Sequence, residues 1–300
     1  MSALSKARRA ELRLAAKAWA TGNAWPFLKA VVNRFMDDEG TVIAGYIAYA
    51  AMLAGMPFLI FTTAMAGILI GDTYSEEAVE ALFNAVPEHV AQTLEPVLRE
   101  VIGERRGGIA IISLLGAIWA ASNGVEAIRI GLDRAYDVSK ARGFVQRRFV
   151  AICFVFVGFF TFAALAVLII FAPLIFRIIE ANTPVDIPGI TDLARYLVGG
   201  GMLIGFLWVC HRLLPSRNMA KIRLMPGIIV SVAIWGFLAS AMSIYLAHAN
   251  TYAMTYGALA GVIVTLLFFY LTAIAIIFGG EVNAVINADK LESWTDPNEE

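Results

Sequence analysis

The stretch GALAGVIVTLLFFYLTAIAIIFGGE, residues 257–281, contains no charged residue before its final carboxylate. A helix needs about 20 mostly apolar residues to cross the roughly 30 Å hydrocarbon layer of a bilayer, so this stretch predicts a transmembrane helix. The whole chain supports this interpretation, because 59% of its 300 residues are hydrophobic, only 16% are charged and the mean hydropathy is +0.73. Such a composition is too apolar for a water-soluble domain with a polar surface.

Uncharged runs of comparable length recur along the chain and predict an all-α, polytopic membrane protein with six transmembrane helices. The runs are 42–70, 107–125, 149–176, 196–210, 224–247 and 257–280. The fourth run is short, and it spans the bilayer only if Arg195 and Arg212 extend their side chains to the two interfaces. Pro57 and Pro173 interrupt long apolar runs and predict helix kinks. The four-residue spacing of Gly201 and Gly205 is typical of close helix contacts.

The basic residues are distributed asymmetrically between the predicted loops. Of the 23 Lys and Arg residues, 18 lie in segment 1–41, in the second-to-third and fourth-to-fifth loops, and in the tail. Because cytoplasmic loops carry an excess of Lys and Arg, both termini are predicted to be cytoplasmic. The net charge of −1 hides this asymmetry and gives no indication of nucleic-acid binding.

The predicted organisation has three parts: a basic cytoplasmic or interfacial segment, 1–41, a single membrane domain, 42–285, and an acidic cytoplasmic tail, 286–300. The first segment suits a helix on the inner leaflet or a basic tail with some helicity. Within the membrane domain, segment 71–106 alternates acidic and apolar residues at helical spacing. It predicts short amphipathic helices on the outer face, which either cover an outward opening or only pack on the helix ends.

No constellation of residues predicts an enzyme. His89, His211 and His248 fall in an outer loop, at a cytoplasmic helix end and at an outer helix end, so they cannot share one metal ion. Cys153 and Cys210 lie inside apolar runs and are interpreted as small buried hydrophobes, not as a disulfide. Sequence motifs for hydrolysis or phosphate binding do not occur. We therefore expect no catalytic residues, no metal site and no cofactor.

One group of ionisable residues lies where the second predicted span leaves the membrane. Glu126, Arg129 and Asp133 share a helical face, on which Arg129 can pair with either acid, and Asn123 precedes them on the membrane side. Two interpretations stay open: a self-neutralising charged turn at the membrane boundary, or a polar vestibule. We expect this face to point toward other helices or a polar vestibule and not toward lipid.

Glu281, at the end of the opening stretch, raises a similar question. If the last span ends there, the carboxylate faces the negative end of the helix dipole and an anionic leaflet, which is unfavourable; the helix can also continue beyond it. We expect a basic or hydrogen-bonding partner from another cytoplasmic helix end, with Arg129 and Arg134 as first candidates and Arg212 as a further one. Gly279 and Gly280 would let that neighbouring helix approach closely. The resulting contact is either a structural clamp or a gate.

Several blocks of the sequence are similar to the BrkB/YihY family of bacterial inner-membrane proteins. They include YGALAGVIVTLLFFYLTAIAIIFGGEVNA (256–284), AGYIAYAAMLAGMPFLIF (44–61) and GLDRAYDVSKARGFVQRR (131–148). This resemblance covers roughly residues 30–290 and implies a six-helix protein of the inner membrane with suggested links to lipid export. The family's older ribonuclease label has no counterpart in the residues of this chain.

Two functions remain open at this point. The first is a transporter or flippase for amphiphilic or anionic, lipid-like substrates, which kinked spans and charges at span ends favour. The second is a membrane scaffold or envelope-assembly factor, for which tight helix packing suffices. Membrane lipids are the expected partners, and self-association stays open. The substrate, its direction of movement and a coupling ion cannot be deduced from the sequence.

Overall fold

The computed structural model describes residues 14–19, 21–70, 108–138, 142–182, 190–248 and 258–293, and all its regular elements are helices. The predicted outer segment 71–106 and the last part of the tail, 294–300, lie outside the described residues. The helices are α1 (Ala24–Asp37), α2 (Gly40–Ile70), α3 (Gly108–Ala135), α4 (Phe144–Asn182), α5 (Ile190–Leu213), α6 (Met225–His248), α7 (Ala258–Ile286) and α8 (Ala288–Ser293). The prediction of an all-α fold is confirmed for the described residues.

Three helices contain described segments that are long and apolar enough to cross a membrane, namely Phe144–Leu165, Met225–Tyr245 and Gly261–Ile286. Two shorter apolar helical segments, Gly40–Gly55 and Leu197–Leu213, accompany them. Each of the six predicted runs coincides with one of the helices α2 to α7. The helices α2 and α4 are continuous through Pro57 and Pro173, so the kinks stay a prediction.

Helix α1 is amphipathic and joins α2 through a sharp turn. Its buried residues are Phe27, Ala30, Val31, Arg34 and Phe35, which recur at the spacing of one helical face. Phe27, Ala30 and Val31 of this face form a cluster with Val282 and Val285 of α7, and the ring of Phe35 packs against Phe278. At the turn, Glu39 has a φ of 57°, and a side chain at Gly40 would overlap the ring of Phe35. The turn therefore places α1 beside the last helix.

Helix α7 packs against α1, α2, α3 and α6. Near its C-terminal end, the ends of α1, α3 and α5 and the beginning of α6 come together. Their meeting point is marked by Arg34, Asp137, His211, Arg223 and Glu281, and we call this region the polar end. The side chain of Asn287, just after α7, bonds both the N–H and the carbonyl of Arg223 at 2.9 and 3.0 Å. Polar contacts thus join the helices at this end of the bundle.

Candidate functional site

Glu281 lies in the polar end and has no exposure to solvent. Helix α7 continues to Ile286, so this carboxylate stands inside the helix, more than one turn before its end. Arg34 of α1 reaches it, and the Arg34 Nε donates a hydrogen bond of 2.6 Å to Glu281 Oε2. Since Arg34 is itself only 3% exposed, the two residues form a buried ion pair between α1 and the last long helix.

Arg34 also holds the end of α3. Its Nη2 donates to the carbonyl oxygen of Ala135 at 2.8 Å and to Asp137 Oδ2 at 2.7 Å, and Asp38 lies 3.8 Å away. Burial alone would lower the pKa of the Arg34 guanidinium, but the carboxylates of Glu281 and Asp137 outweigh that effect and raise the pKa above its usual range. Arg34 therefore stays charged and connects three helices.

Asp137 is placed for this contact by the way α3 ends. Its φ of 52° lies in the left-handed region. The N–H of Val138 bonds the carbonyl of Asp133 at 2.9 Å, and the N–H of Asp137 bonds the carbonyl of Arg134 at 3.1 Å. This is the Schellman pattern of a helix C-terminus, whose left-handed position is most often glycine. Here an aspartate occupies it and turns its carboxylate toward Arg34.

A second set of buried polar contacts starts at Tyr136, next to Asp137. The Tyr136 hydroxyl lies 2.7 Å from His211 Nδ1 of α5, with the direction of the hydrogen bond set by the histidine tautomer. Asn283 Nδ2 donates to the same hydroxyl at 3.3 Å, and Asn283 Oδ1 accepts the N–H of Gly227 at 2.8 Å. Burial raises the pKa of Tyr136, and the charge of Glu281 adds to the rise, so the hydroxyl stays protonated. These contacts tie α5 and α6 to α7.

Helices α6 and α7 approach each other very closely beside this network. A Cβ atom at Gly279 would overlap Ser231 Oγ and the Gly227 carbonyl, and a Cβ at Gly227 would overlap the Gly279 carbonyl. At Gly280, a Cβ would lie 3.1 Å from the Cβ of Ala135. The prediction that Gly279 and Gly280 let neighbouring helices approach is confirmed.

The charged face of α3 forms a separate cluster. Arg129 bonds Glu126 through Nη2 and Nε at 2.8 and 2.9 Å and also contacts Asp133. Asp133 accepts bonds from the N–H and the hydroxyl of Ser216 at 2.6 and 2.7 Å. Arg147 of α4 lies 3.6 Å from Glu126. The face therefore points toward other elements of the protein, as predicted, and its use as a vestibule stays a prediction.

The remaining predicted residues lie apart from the Arg34–Glu281 pair. Asn123 is exposed and accepts a bond of 2.8 Å from Arg148, whose guanidinium lies 3.5 Å from the centre of the Trp119 ring. Arg134 is exposed. Arg212 Nη1 donates to the carbonyl of Met219 at 2.6 Å. None of these three side chains is the partner of Glu281, which bonds Arg34.

The two expectations about Glu281 have different outcomes. The prediction that Arg129 or Arg134 pairs with it is wrong, because Arg129 is engaged by Glu126 and Asp133 and because Arg34 supplies the cation. Of the two alternatives for the last helix, continuation beyond Glu281 is confirmed, because α7 continues to Ile286. The unfavourable helix-dipole term is therefore weak here, and burial of the carboxylate is what requires a partner.

Sequence reasoning did not identify Arg34, Asp137, Tyr136 or His211 as parts of this site. One signal was present: Arg34 falls on the same face of α1 as Phe27, Val31 and Phe35. A cation on an otherwise apolar, protein-facing stripe indicates a buried acidic partner elsewhere in the chain. The position of Asp137 carried no comparable signal, because an aspartate just after a helix is common in turns.

Three buried polar atoms at the polar end have no hydrogen-bond partner among the described residues: Glu281 Oε1, His211 Nε2 and Ser231 Oγ. The same described residues contain no group of three His, Cys, Asp or Glu side chains that could hold a metal ion. The polar end thus combines a buried ion pair with polar atoms that the described residues leave unbonded.

Comparison with known proteins supports a membrane protein of one family. The family model described as Virulence factor BrkB matches residues 31–300. The ribonuclease-like protein YfkH of Bacillus subtilis is 28% identical over 271 residues, covering 88% of this chain and 96% of that protein. A UPF0761 membrane protein of Pseudoalteromonas translucida is 25% identical, covering 87% of this chain and 86% of its own length.

No solved structure matches the chain. The family match extends over nearly the whole sequence and includes both Arg34 and Glu281. The chain therefore belongs to the BrkB family of membrane proteins.

Proposed function

We propose that this protein is a six-span transporter of the bacterial inner membrane that moves amphiphilic, anionic, lipid-like molecules between the leaflets. The observation that carries the proposal is the buried Arg34–Glu281 pair with its polar neighbours. Ionisable groups are expensive to keep inside a membrane protein and are retained mainly along substrate or ion pathways. A chain that only anchors itself in the bilayer has no need of such a network.

The proposed topology has both termini in the cytoplasm and the polar end on the cytoplasmic side. Arg34, Arg129, Arg142, Arg212 and Arg223 all lie near helix ends that meet there, which fits the positive-inside rule. Contacts between these ends support the arrangement: Arg142, just before α4, donates to the carbonyl of Leu213 at 3.0 Å. Three of the six helices contain a described segment that is long and apolar enough to span the membrane. That the other three helices also span it is part of the proposal.

Thiol labelling tests this orientation. In a chain with Cys153 and Cys210 replaced, a cysteine at the exposed Asn218 should react with a membrane-impermeant maleimide only after the cells are permeabilised. A cysteine at position 88, in the predicted outer segment, should react in intact spheroplasts. Labelling of N218C in intact spheroplasts, with no labelling at position 88, would contradict the topology.

Reconstitution tests transport directly. In vesicles that contain a fluorescent phospholipid in both leaflets, an impermeant reductant bleaches only the outer leaflet unless lipid crosses. Vesicles with the protein should bleach beyond that half, and an anionic lipid should cross faster than a zwitterionic one. Vesicles containing an unrelated membrane protein of similar size are the control. Bleaching that stops at the outer leaflet for both lipids would contradict the proposed transport function.

A non-transporting scaffold is the second candidate. The close contact between α6 and α7 at Gly227 and Gly279 favours it, since a solid, tightly packed pair of helices suits a fixed assembly surface. We propose no ribonuclease activity, although the relative YfkH carries that word in its name. His211 lies against Tyr136, and the described residues contain no group of three side chains suited to a metal ion.

A further inference from the structure

The charges around Arg34 do not balance. Carboxylates of Glu281, Asp137 and Asp38 lie 2.6, 2.7 and 3.8 Å from this one guanidinium. Glu281 and Asp137 both bond this guanidinium, so these three groups carry one negative charge in excess if both acids are ionised. The side chain of Asp137 is 44% exposed, so water screens its charge, whereas Glu281 has no exposure at all. The excess charge is therefore most unfavourable at Glu281.

Glu281 is also incompletely bonded. Its Oε2 accepts the bond from Arg34, but the buried Oε1 has no hydrogen-bond partner among the described residues. An ionised carboxylate accepts bonds at both oxygens, and a protonated one can donate from the oxygen that carries the proton. This unpartnered oxygen is an observation independent of the count of charges, and it indicates that Glu281 is the acid that takes up a proton.

The other groups near Glu281 are less suited to this exchange. Arg34 stays charged, and Tyr136 stays protonated because burial and the carboxylate both raise its pKa. His211 of α5 faces the Tyr136 hydroxyl. Helix α6 contributes the non-titrating Gly227 and Ser231 here, and α2 contributes apolar residues such as Ile47. A metal ion is a poorer occupant than a proton, because Arg34 already stands between the carboxylates.

We propose that Glu281 is a proton-binding site whose occupancy releases the clamp between α1 and α7. A proton from the cytoplasmic side neutralises Glu281 and removes its charge-assisted bond with Arg34, which keeps Asp137 and Asp38 as partners. Loss of the proton restores the pair. The proton-binding site is argued without the transport function. Its role rests on the proposed function, because in a transporter the proton would be the coupling ion.

Infrared difference spectroscopy of the purified protein in lipid nanodiscs tests the site. As the pH is lowered from about 9 to about 4, past the usual range of a glutamate, exposed acids protonate in every variant, but the wild type should gain one protonated-carboxyl band that is missing from the difference spectrum of E281Q. The matched control is E126Q, which removes a carboxylate paired with Arg129 and should keep the band. A band of equal intensity in the wild type and E281Q would overturn the proposal.

A second measurement leaves Glu281 in place, in case E281Q does not fold. Val31 of α1 is fully buried in the cluster that α1 forms with Val282 and Val285, so a cysteine at position 31 reports the docking of α1 in a C153A/C210A chain. Its alkylation rate is divided by the rate for the denatured chain at the same pH, which removes the pH dependence that the folded and denatured chains share. This ratio should rise at least about tenfold at low pH, corresponding to about 1.4 kcal/mol. A ratio that is independent of pH would overturn the release of the clamp.

The two proposals fail separately. If the vesicles show no lipid movement but the carboxyl band depends on Glu281, the transport function is removed and the proton site stands. If lipid moves and the band is unchanged in E281Q, the proton site is removed and the transport function stands. Each experiment therefore decides its own proposal.

Discussion

Replacing Arg34 with alanine should lower the free energy of unfolding by about 3 to 5 kcal/mol, the range found when one partner of a buried ion pair is removed. The loss is large because Glu281 keeps its burial and loses its cation, while the Ala135 carbonyl loses its donor. Denaturation of the purified protein in detergent, followed by circular dichroism, measures the change. The matched control is R134A, an exposed cation at the same end of the bundle, which should change stability by less than about 0.5 kcal/mol.

A double variant separates the loss of the pair from the burial of an unpaired charge. In R34M/E281L both charges are replaced by apolar side chains, and such replacements of buried pairs are often close to neutral. We expect R34M/E281L to be more stable than R34A, although the Ala135 carbonyl still lacks its donor. Equal stability of R34A and R134A would contradict the importance of the pair. Equal stability of R34A and the double variant would show that the unpaired carboxylate is not the cause.

The second large effect is expected at the contact between α6 and α7. In G279A the new methyl group meets Ser231 Oγ and the carbonyl of Gly227, and a backbone atom cannot move aside cheaply. We expect a loss of about 1 to 3 kcal/mol, as for other overpacked cores, and a larger loss for G279L. The measurement is the same denaturation experiment.

The control for G279A is G236A in α6, because a Cβ at Gly236 would meet no described atom within 4 Å. Alanine is favoured over glycine in a helix interior by roughly 0.5 to 1 kcal/mol, so this variant should be slightly more stable than the wild type. The packing argument would be wrong if G279A and G236A changed stability in the same direction and by similar amounts.

The apolar runs and the buried carboxylate could be predicted from the sequence because both are local properties. A long uncharged run specifies a helix in lipid, and a carboxylate at its end demands compensation. The close helix contact at Gly279 could also be predicted, since consecutive glycines in an apolar helix leave room for a neighbouring helix. The i, i+4 spacing of Gly201 and Gly205 was a less reliable indication of close helix contacts, because a Cβ atom at either position would meet no described atom within 4 Å.

The identity of the partner could not be predicted, because it depends on tertiary structure. Arg34 is separated from Glu281 by 247 residues and belongs to a segment rich in other cations. Choosing it required the turn at Glu39 and Gly40, which lays α1 against α7. The nearer candidates, Arg129 and Arg134, are on α3, where one is engaged locally and the other faces outward. The local sequence therefore shows that Glu281 needs a cationic partner, but it does not show which cation that partner is.

The ion pair between the first and last parts of the chain also has a consequence for biosynthesis. At about 5 to 20 residues per second, a ribosome needs roughly 12 to 50 seconds to add the 247 residues that separate Arg34 from Glu281. During that interval Arg34 can already bond Asp137 and the Ala135 carbonyl, but its buried partner does not yet exist. A chain that terminates early never completes the contact, and α1 then keeps an apolar face that lacks Val282 and Val285. Complete docking of α1 is therefore possible only after the ribosome has synthesised α7.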